Sequence, residues 1–136
     1  MSSVTPEPDR RFTPALDHVQ LAAPSGCEPA AREFYGGLLG LVELDKPAAL
    51  SARGGVWFAL AGGQLHIGVQ DPFTPATKAH PALRLADLAS YAALLAQLEA
   101  AGVAVKHDRE MEPRVRRCLV ADPWGNRVEL VVAAGG

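Results

Sequence analysis

The sequence predicts an α+β protein made of two βαβββ modules, and three observations carry that prediction. Strand-like and helical runs follow one another as strand, helix and three strands, and the order then repeats. Ligand-type residues recur at matched depths: His18 and His80 lie 62 residues apart, His66 and Glu129 lie 63 apart, and the separations within each half are 48 and 49. Finally, 136 residues with 49% hydrophobic and 21% charged content make an ordinary globular chain with enough material for a real core. These place one domain at 15–133, with modules at 15–70 and 79–133, behind a disordered tail at 1–14.

In the first module, residues 16–23 alternate as a half-buried strand with His18 and Gln20 on one face. Glu28-Pro29-Ala30 reads as a helix start, because proline is tolerated in a first turn. Ala31, Phe34, Tyr35, Leu38 and Leu39 carry the helical spacing, and Gly40 ends it. A short strand at Leu41–Leu44 and a loose segment at 47–55 lead to Val56–Leu60. Gly62-Gly63 then reads as a two-residue hairpin turn with positive φ at both positions. That register pairs Ala61 with Gln64, Ala59 with His66 and Trp57 with Gly68, and it turns Trp57 and His66 into the same space.

Asp71 to Lys78, with two prolines, connects the halves. His80 precedes Pro81, which biases it to extended backbone and makes it a first-strand residue, continuing over 83–86. Leu88, Tyr91, Leu94, Leu95 and Leu98 define the clearest helix, 88–101, stopped at Gly102. Strands follow at 103–107, 115–121 and 126–132. Asp122-Pro123-Trp124-Gly125 joins the last two as a type I turn with a left-handed glycine. The resulting bulge pairs Leu119 with Glu129 and aims Arg117 inward.

Composition also excludes. A net charge of −2 leaves no electrostatic footprint for nucleic acid. The first 14 residues hold no apolar h-region, and no run approaches the length of a membrane span. Cys27 and Cys118 are too few for a disulfide framework and fit reduced thiols in a cytoplasmic protein. Two four-stranded modules leave bare edges, which predicts a homodimer.

The βαβββ–βαβββ order, His18 in the first strand and the closing run Asp122-Pro123-Trp124-Gly125-Asn126-Arg127-Val128-Glu129-Leu130 resemble the vicinal oxygen chelate superfamily over about residues 15–133. Its members include glyoxalase I, extradiol dioxygenases, fosfomycin-modifying thiol transferases and bleomycin resistance proteins. The resemblance implies that the modules curl into an incomplete barrel, a glyoxalase-like fold, around a divalent metal that chelates vicinal oxygens of a small substrate. It makes His18 and His80 strand-opening ligands and Glu129 the closing carboxylate. His66 stands where bacterial glyoxalase I carries a carboxylate.

Imidazoles with one carboxylate suit Zn, Ni, Co, Mn or Fe, and ligand type does not choose among them. With His66 as the fourth metal ligand beside His18, His80 and Glu129, the expected chemistry is that of a lyase or isomerase. It proceeds through a metal-stabilised enediolate, with Glu129 and His66 as catalytic residues. Without His66, the remaining three form the facial triad of an Fe(II) extradiol-type dioxygenase. A third reading is a non-enzymatic, drug-sequestering protein of the bleomycin-resistance type, in which metal ligands are typically missing. Trp57 and Arg117 are the substrate-binding candidates: Trp57 to stack on a planar group and Arg117 to receive an anionic one.

Overall fold

Alternation gives each strand two unlike faces, and in this chain one face of each sheet packs into the core while the other carries polar and charged side chains. The computed structural model describes residues 12–134, so the expected tail at 1–14 lies outside the described residues except for its last three positions. The first module comprises β1 (His18–Ala23), α1 (Glu28–Ala31), β2 (Glu43–Leu44), α2 (Ala48–Ser51), β3 (Val56–Leu60) and β4 (Gly63–Val69). The second comprises β5 (Ala82–Arg84), α3 (Leu88–Ala100), β6 (Lys106–Asp108), β7 (Val115–Ala121) and β8 (Arg127–Ala133). Each makes one four-stranded sheet, in the orders β1-β4-β3-β2 and β5-β8-β7-β6. The first strand pairs parallel with the last in each module, and the other pairs are antiparallel. Neither sheet closes on itself. This is the repeated two-module α+β arrangement that the sequence predicts.

Val56, Phe58, Leu65 and Ile67 from the first sheet and Cys118, Val120, Val128, Leu130 and Val132 from the second are buried in one cluster. Phe34 and Tyr35 of the first helix join them, as do Tyr91, Leu95 and Leu98 of α3. The opposite faces carry His18, Gln20, Trp57, Gln64 and His66 in the first module and Arg84, Arg117 and Glu129 in the second. Among the described residues no helix is long and apolar enough to cross a membrane.

Several local expectations shift. Past Ala31 the first helix widens into a π-helix over Arg32–Leu38, with Leu39 N–H bonded to Phe34 O at 3.0 Å. The wider turn sets the chain neighbours Phe34 and Tyr35 both into the core. The loose segment contains the one-turn helix α2. Val103 and Val105 pack on the core without pairing, so β6 begins only at Lys106. His80 precedes β5 rather than opening it, because pairing with β8 starts at Ala82 opposite Glu129.

The β3–β4 turn is Ala61-Gly62 rather than Gly62-Gly63. Leu60 pairs with Gly63, and Trp57 stands directly opposite His66. Gly62 has φ of 78°, while among the described residues no non-glycine has positive φ, so the turn uses a single left-handed position. Gly63 is instead a strand residue against β1, where an added Cβ would meet Asp17 O at 3.1 Å. The slip is two residues, and an even slip preserves every facing. On the other side, Gly125 has φ of 92° and Leu119 pairs with Glu129 as expected.

A buried carboxylate ties the modules together. Asp122 Oδ1 accepts from the backbone N–H groups of Trp124 at 3.0 Å and Asn126 at 2.8 Å. Its Oδ2 accepts from Tyr35 O–H at 2.8 Å and Asn126 Nδ2 at 2.9 Å. Asn126 Nδ2 also donates to Ala22 O of β1 at 2.8 Å. Burial first, then the Asp122 charge, push the Tyr35 hydroxyl far above the ordinary tyrosine range, so it remains a donor.

Asp122→Ala removes the acceptor of four hydrogen bonds, from the Tyr35 hydroxyl, the Trp124 and Asn126 backbone N–H groups and Asn126 Nδ2, and is expected to cost about 3 kcal/mol or more in urea unfolding. Tyr35→Phe is expected to cost about 1–2 kcal/mol, because it leaves the carboxylate three donors. A loss below 1 kcal/mol for Asp122→Ala would contradict this.

Candidate metal centre

The first module brings two of the expected ligands together. β1 and β4 pair in parallel with Gln20 opposite His66, and β3 sets Trp57 on the other side of His66. The His66 ring is sandwiched: its centroid lies 4.3 Å from that of His18, at 15°, and 4.0 Å from the Trp57 ring, at 4°. Its 6% exposure follows from that cover. Burial first, then the neighbouring His18, pull the His66 pKa below the ordinary histidine value, which favours the neutral ring a metal needs.

Each imidazole is oriented by a neighbour. His18 Nδ1 donates to Asp17 Oδ2 at 2.8 Å, leaving Nε2 with the lone pair. His66 Nε2 donates to Gln64 Oε1 at 2.8 Å, leaving Nδ1. Such outer hydrogen bonds select the tautomer of a metal-binding histidine. Parallel rings, however, direct their lone pairs in parallel planes, so one ring must turn before both can meet a single ion. One face of Trp57 is already taken by His66.

The second module brings the other two together. His80 Nδ1 lies 2.8 Å from Lys78 O, and a carbonyl only accepts, so Nδ1 carries hydrogen. Nε2 lies 3.1 Å from Glu129 Oε1. In a neutral ring that contact sets a lone pair against a carboxylate oxygen, which is repulsive unless a proton or a cation lies between them. Ligands bonded at about 2.1 Å and at right angles stand about 3.0 Å apart, so the pair matches adjacent ligands of one ion. The donor set thus fits a divalent metal.

Among the described residues no three His, Cys, Asp or Glu side chains come together in a way that could hold a metal ion. Within the chain the four expected ligands therefore form two half-sites, His18 with His66 and His80 with Glu129. A cavity of about 450 Å³ adjoins the second, lined by Gln20, Ala22, Thr74, Ala76, His80 and Asn126 among others. A larger one, about 600 Å³, lies between α1, β2 and α2 and holds none of the candidate ligands.

Arg117 faces the same side of its sheet as Glu129, as expected, and is gripped by Asp108, with Nε and Nη2 at 3.0 and 2.8 Å from Oδ2. The sequence reading missed the orienting groups Asp17, Gln64 and Asp108. Gln64 was within reach, since two residues along a strand is the same face. The Lys78 carbonyl and the Asp108 pairing depend on loop path and register, which leave no local signal.

Residues 15–130 match the model of the Glyoxalase/Bleomycin resistance protein/Dioxygenase superfamily. No curated protein matches the chain. Among solved structures, a protein of Bacillus anthracis described as a glyoxalase family member is 41% identical. The similarity covers 90% of this chain and 97% of that one, with a TM-score of 0.82. A glyoxalase/dioxygenase from Nostoc punctiforme is 22% identical over 98% and 100% of the two chains, with a TM-score of 0.76. Lactoylglutathione lyase from Agrobacterium tumefaciens is 21% identical over 89% and 95%, with a TM-score of 0.67. By the family match, the 41% identity and the paired modules, the chain belongs to the Glyoxalase/Bleomycin resistance protein/Dioxygenase superfamily.

Proposed function

We propose that the chain is a metal-dependent enzyme of this superfamily, acting on a small substrate through vicinal oxygens by lyase or isomerase chemistry. The observation that carries the reading is the His80–Glu129 contact at 3.1 Å, with Nδ1 of the same ring committed to Lys78 O. That contact calls for positive charge at the point where the family's metal would be held. The residues that would hold it are His18, His66, His80 and Glu129, and the bound ion would supply Lewis-acid polarisation of substrate oxygens. Two or three imidazoles with one carboxylate suit Zn, Ni, Co, Mn or Fe.

The remaining roles follow from the residues themselves. Glu129 is the carboxylate positioned to take and return a substrate proton, and His66, its counterpart in the first module, is the second proton-transfer candidate. Trp57 fixes the plane of the His66 ring. Arg117 offers a charged anchor held in place by Asp108.

Because each half-site supplies two ligands, a second copy of the chain is the simplest way to complete them. In a two-fold dimer, His18 and His66 of one copy would meet His80 and Glu129 of the other, giving two equal sites. Mixing His18→Ala with Glu129→Ala protein tests this directly. Each variant alone is expected to lose metal at least tenfold, measured by elemental analysis after dialysis. Their hybrid dimer should regain one intact site, since both defects fall in the other. No recovery on mixing would confine the site to one chain, and full metal in both single variants would remove the ligand assignment.

The stack supplies an optical check. Where His66 is the ring that turns to meet the ion, it leaves the face of Trp57, so Zn²⁺ added to a Trp124→Phe protein should change Trp57 emission by roughly a quarter or more. His66→Ala should abolish that response. A variant that keeps its metal and cleaves catechol with Fe²⁺ would favour the dioxygenase reading instead.

A further inference from the structure

The open face of the second sheet carries more positive charge than the metal reading uses. Arg84 pairs in register with Val131, and Val131 pairs on its other side with Arg117, so one row across three strands reads Arg84, Val131, Arg117. Leu83 and Leu85 pack on the core, which sends Arg84 to the opposite face, where it is exposed. Among the described residues Arg84 has no ion-pair partner, whereas Arg117 is held by Asp108. The next row holds Ala82, Glu129, Leu119 and Lys106.

We propose that Arg84 and Arg117 form a two-guanidinium receptor for a single oxyanion, carboxylate or phosph(on)ate, on a small acidic substrate. Neighbouring strands lie about 4.8 Å apart, so the two Cα atoms flank Val131 at about 10 Å, and both long side chains can close over its isopropyl group. Asp108 Oδ2 accepts from Arg117 Nε and lies 2.8 Å from Nη2, which fixes the plane of the fork and leaves its other N–H donors for a ligand. Arg84 brings an uncommitted fork. Planar guanidinium groups bind such oxyanions through paired hydrogen bonds, which a lysine ammonium does not reproduce.

The placement also limits substrate length. Arg117 is the diagonal neighbour of Glu129, and such neighbours stand about 7–8 Å apart at Cβ. The anion therefore sits a few bonds from the atoms that Glu129 and His80 address. This selects a short acid over a neutral or long-chain compound. The inference rests on the proposed function only for what reacts beside the receptor; anion capture by the two arginines stands by itself.

The test is calorimetric titration of the full-length, chelator-treated protein with succinate and with methylphosphonate, using succinamide as the neutral control. The unsubstituted protein is expected to bind at least one anion, and succinamide at least tenfold more weakly. Arg84→Gln should weaken anion binding about tenfold or more, the worth of a charge-assisted hydrogen bond, and Arg84→Lys should recover only part. Arg117→Gln should do the same, with circular dichroism to establish that it is folded. The better anion distinguishes carboxylate from phosph(on)ate. Equal binding by the unsubstituted and Arg84→Gln proteins, equal binding of succinate and succinamide, or no binding of either anion would overturn the proposal. Metal content measured on the same preparations before chelator treatment separates the two readings. Arginine-dependent anion binding without metal leaves this inference standing and the metal reading fallen, and metal without anion binding does the reverse.

Discussion

The Asp122 carboxylate is the point on which the rest of the molecule depends. Two sheets that each bury one face against helices need something to fix how they meet, and apolar packing is not directional. Here direction comes from hydrogen bonds made away from water, where an unmade one is expensive. Tyr35 arrives from the first helix, Asn126 bridges to β1, and the turn before β8 is closed by the same carboxylate. Glu129 follows three residues after Asn126, so the group that joins the modules also anchors the strand carrying the candidate closing ligand.

Much of this was legible in the sequence because strand facing depends only on parity. His18 with Gln20, Gln64 with His66, and Arg117 with Glu129 share faces whether or not the register is known. The β3–β4 hairpin illustrates the point: its turn was misplaced, yet Trp57 and His66 still share a face, because the displacement was even. Two adjacent glycines offered two places for positive φ, and the backbone needed only one. The residue just before β1 bears on that choice, since the Asp17 carbonyl would crowd a Cβ at Gly63, and a neighbouring segment is invisible to a local reading.

What stayed hidden has the same cause. The π-helix is set by two adjacent aromatic rings seeking one core, a tertiary demand that helical periodicity does not record. Val103 and Val105 looked like strand residues and are instead half-buried packing residues, since no edge reaches them. The matched spacings of the four candidate ligands describe a repeat, and among the described residues they fall into two pairs. The chain brings the ligands together in pairs, and only the fold could separate a repeated pattern from a completed centre.

The common core of the two modules has a consequence for how such a chain changes over generations. The modules repeat in form, yet neither owns its interior, since Tyr35 and Phe58 share a cluster with Leu98, Val128 and Leu130. A duplicated half-length ancestor would have met an identical copy across this seam, and every apolar contact there would have been symmetric. Once the halves were joined, each side of the seam was free to differ, but only in step with the other. Tyr35 and Asp122 illustrate that outcome: they have no counterpart pair in the reverse direction among the described hydrogen bonds. The seam is therefore where the two halves are not interchangeable, while the open faces display the repeat.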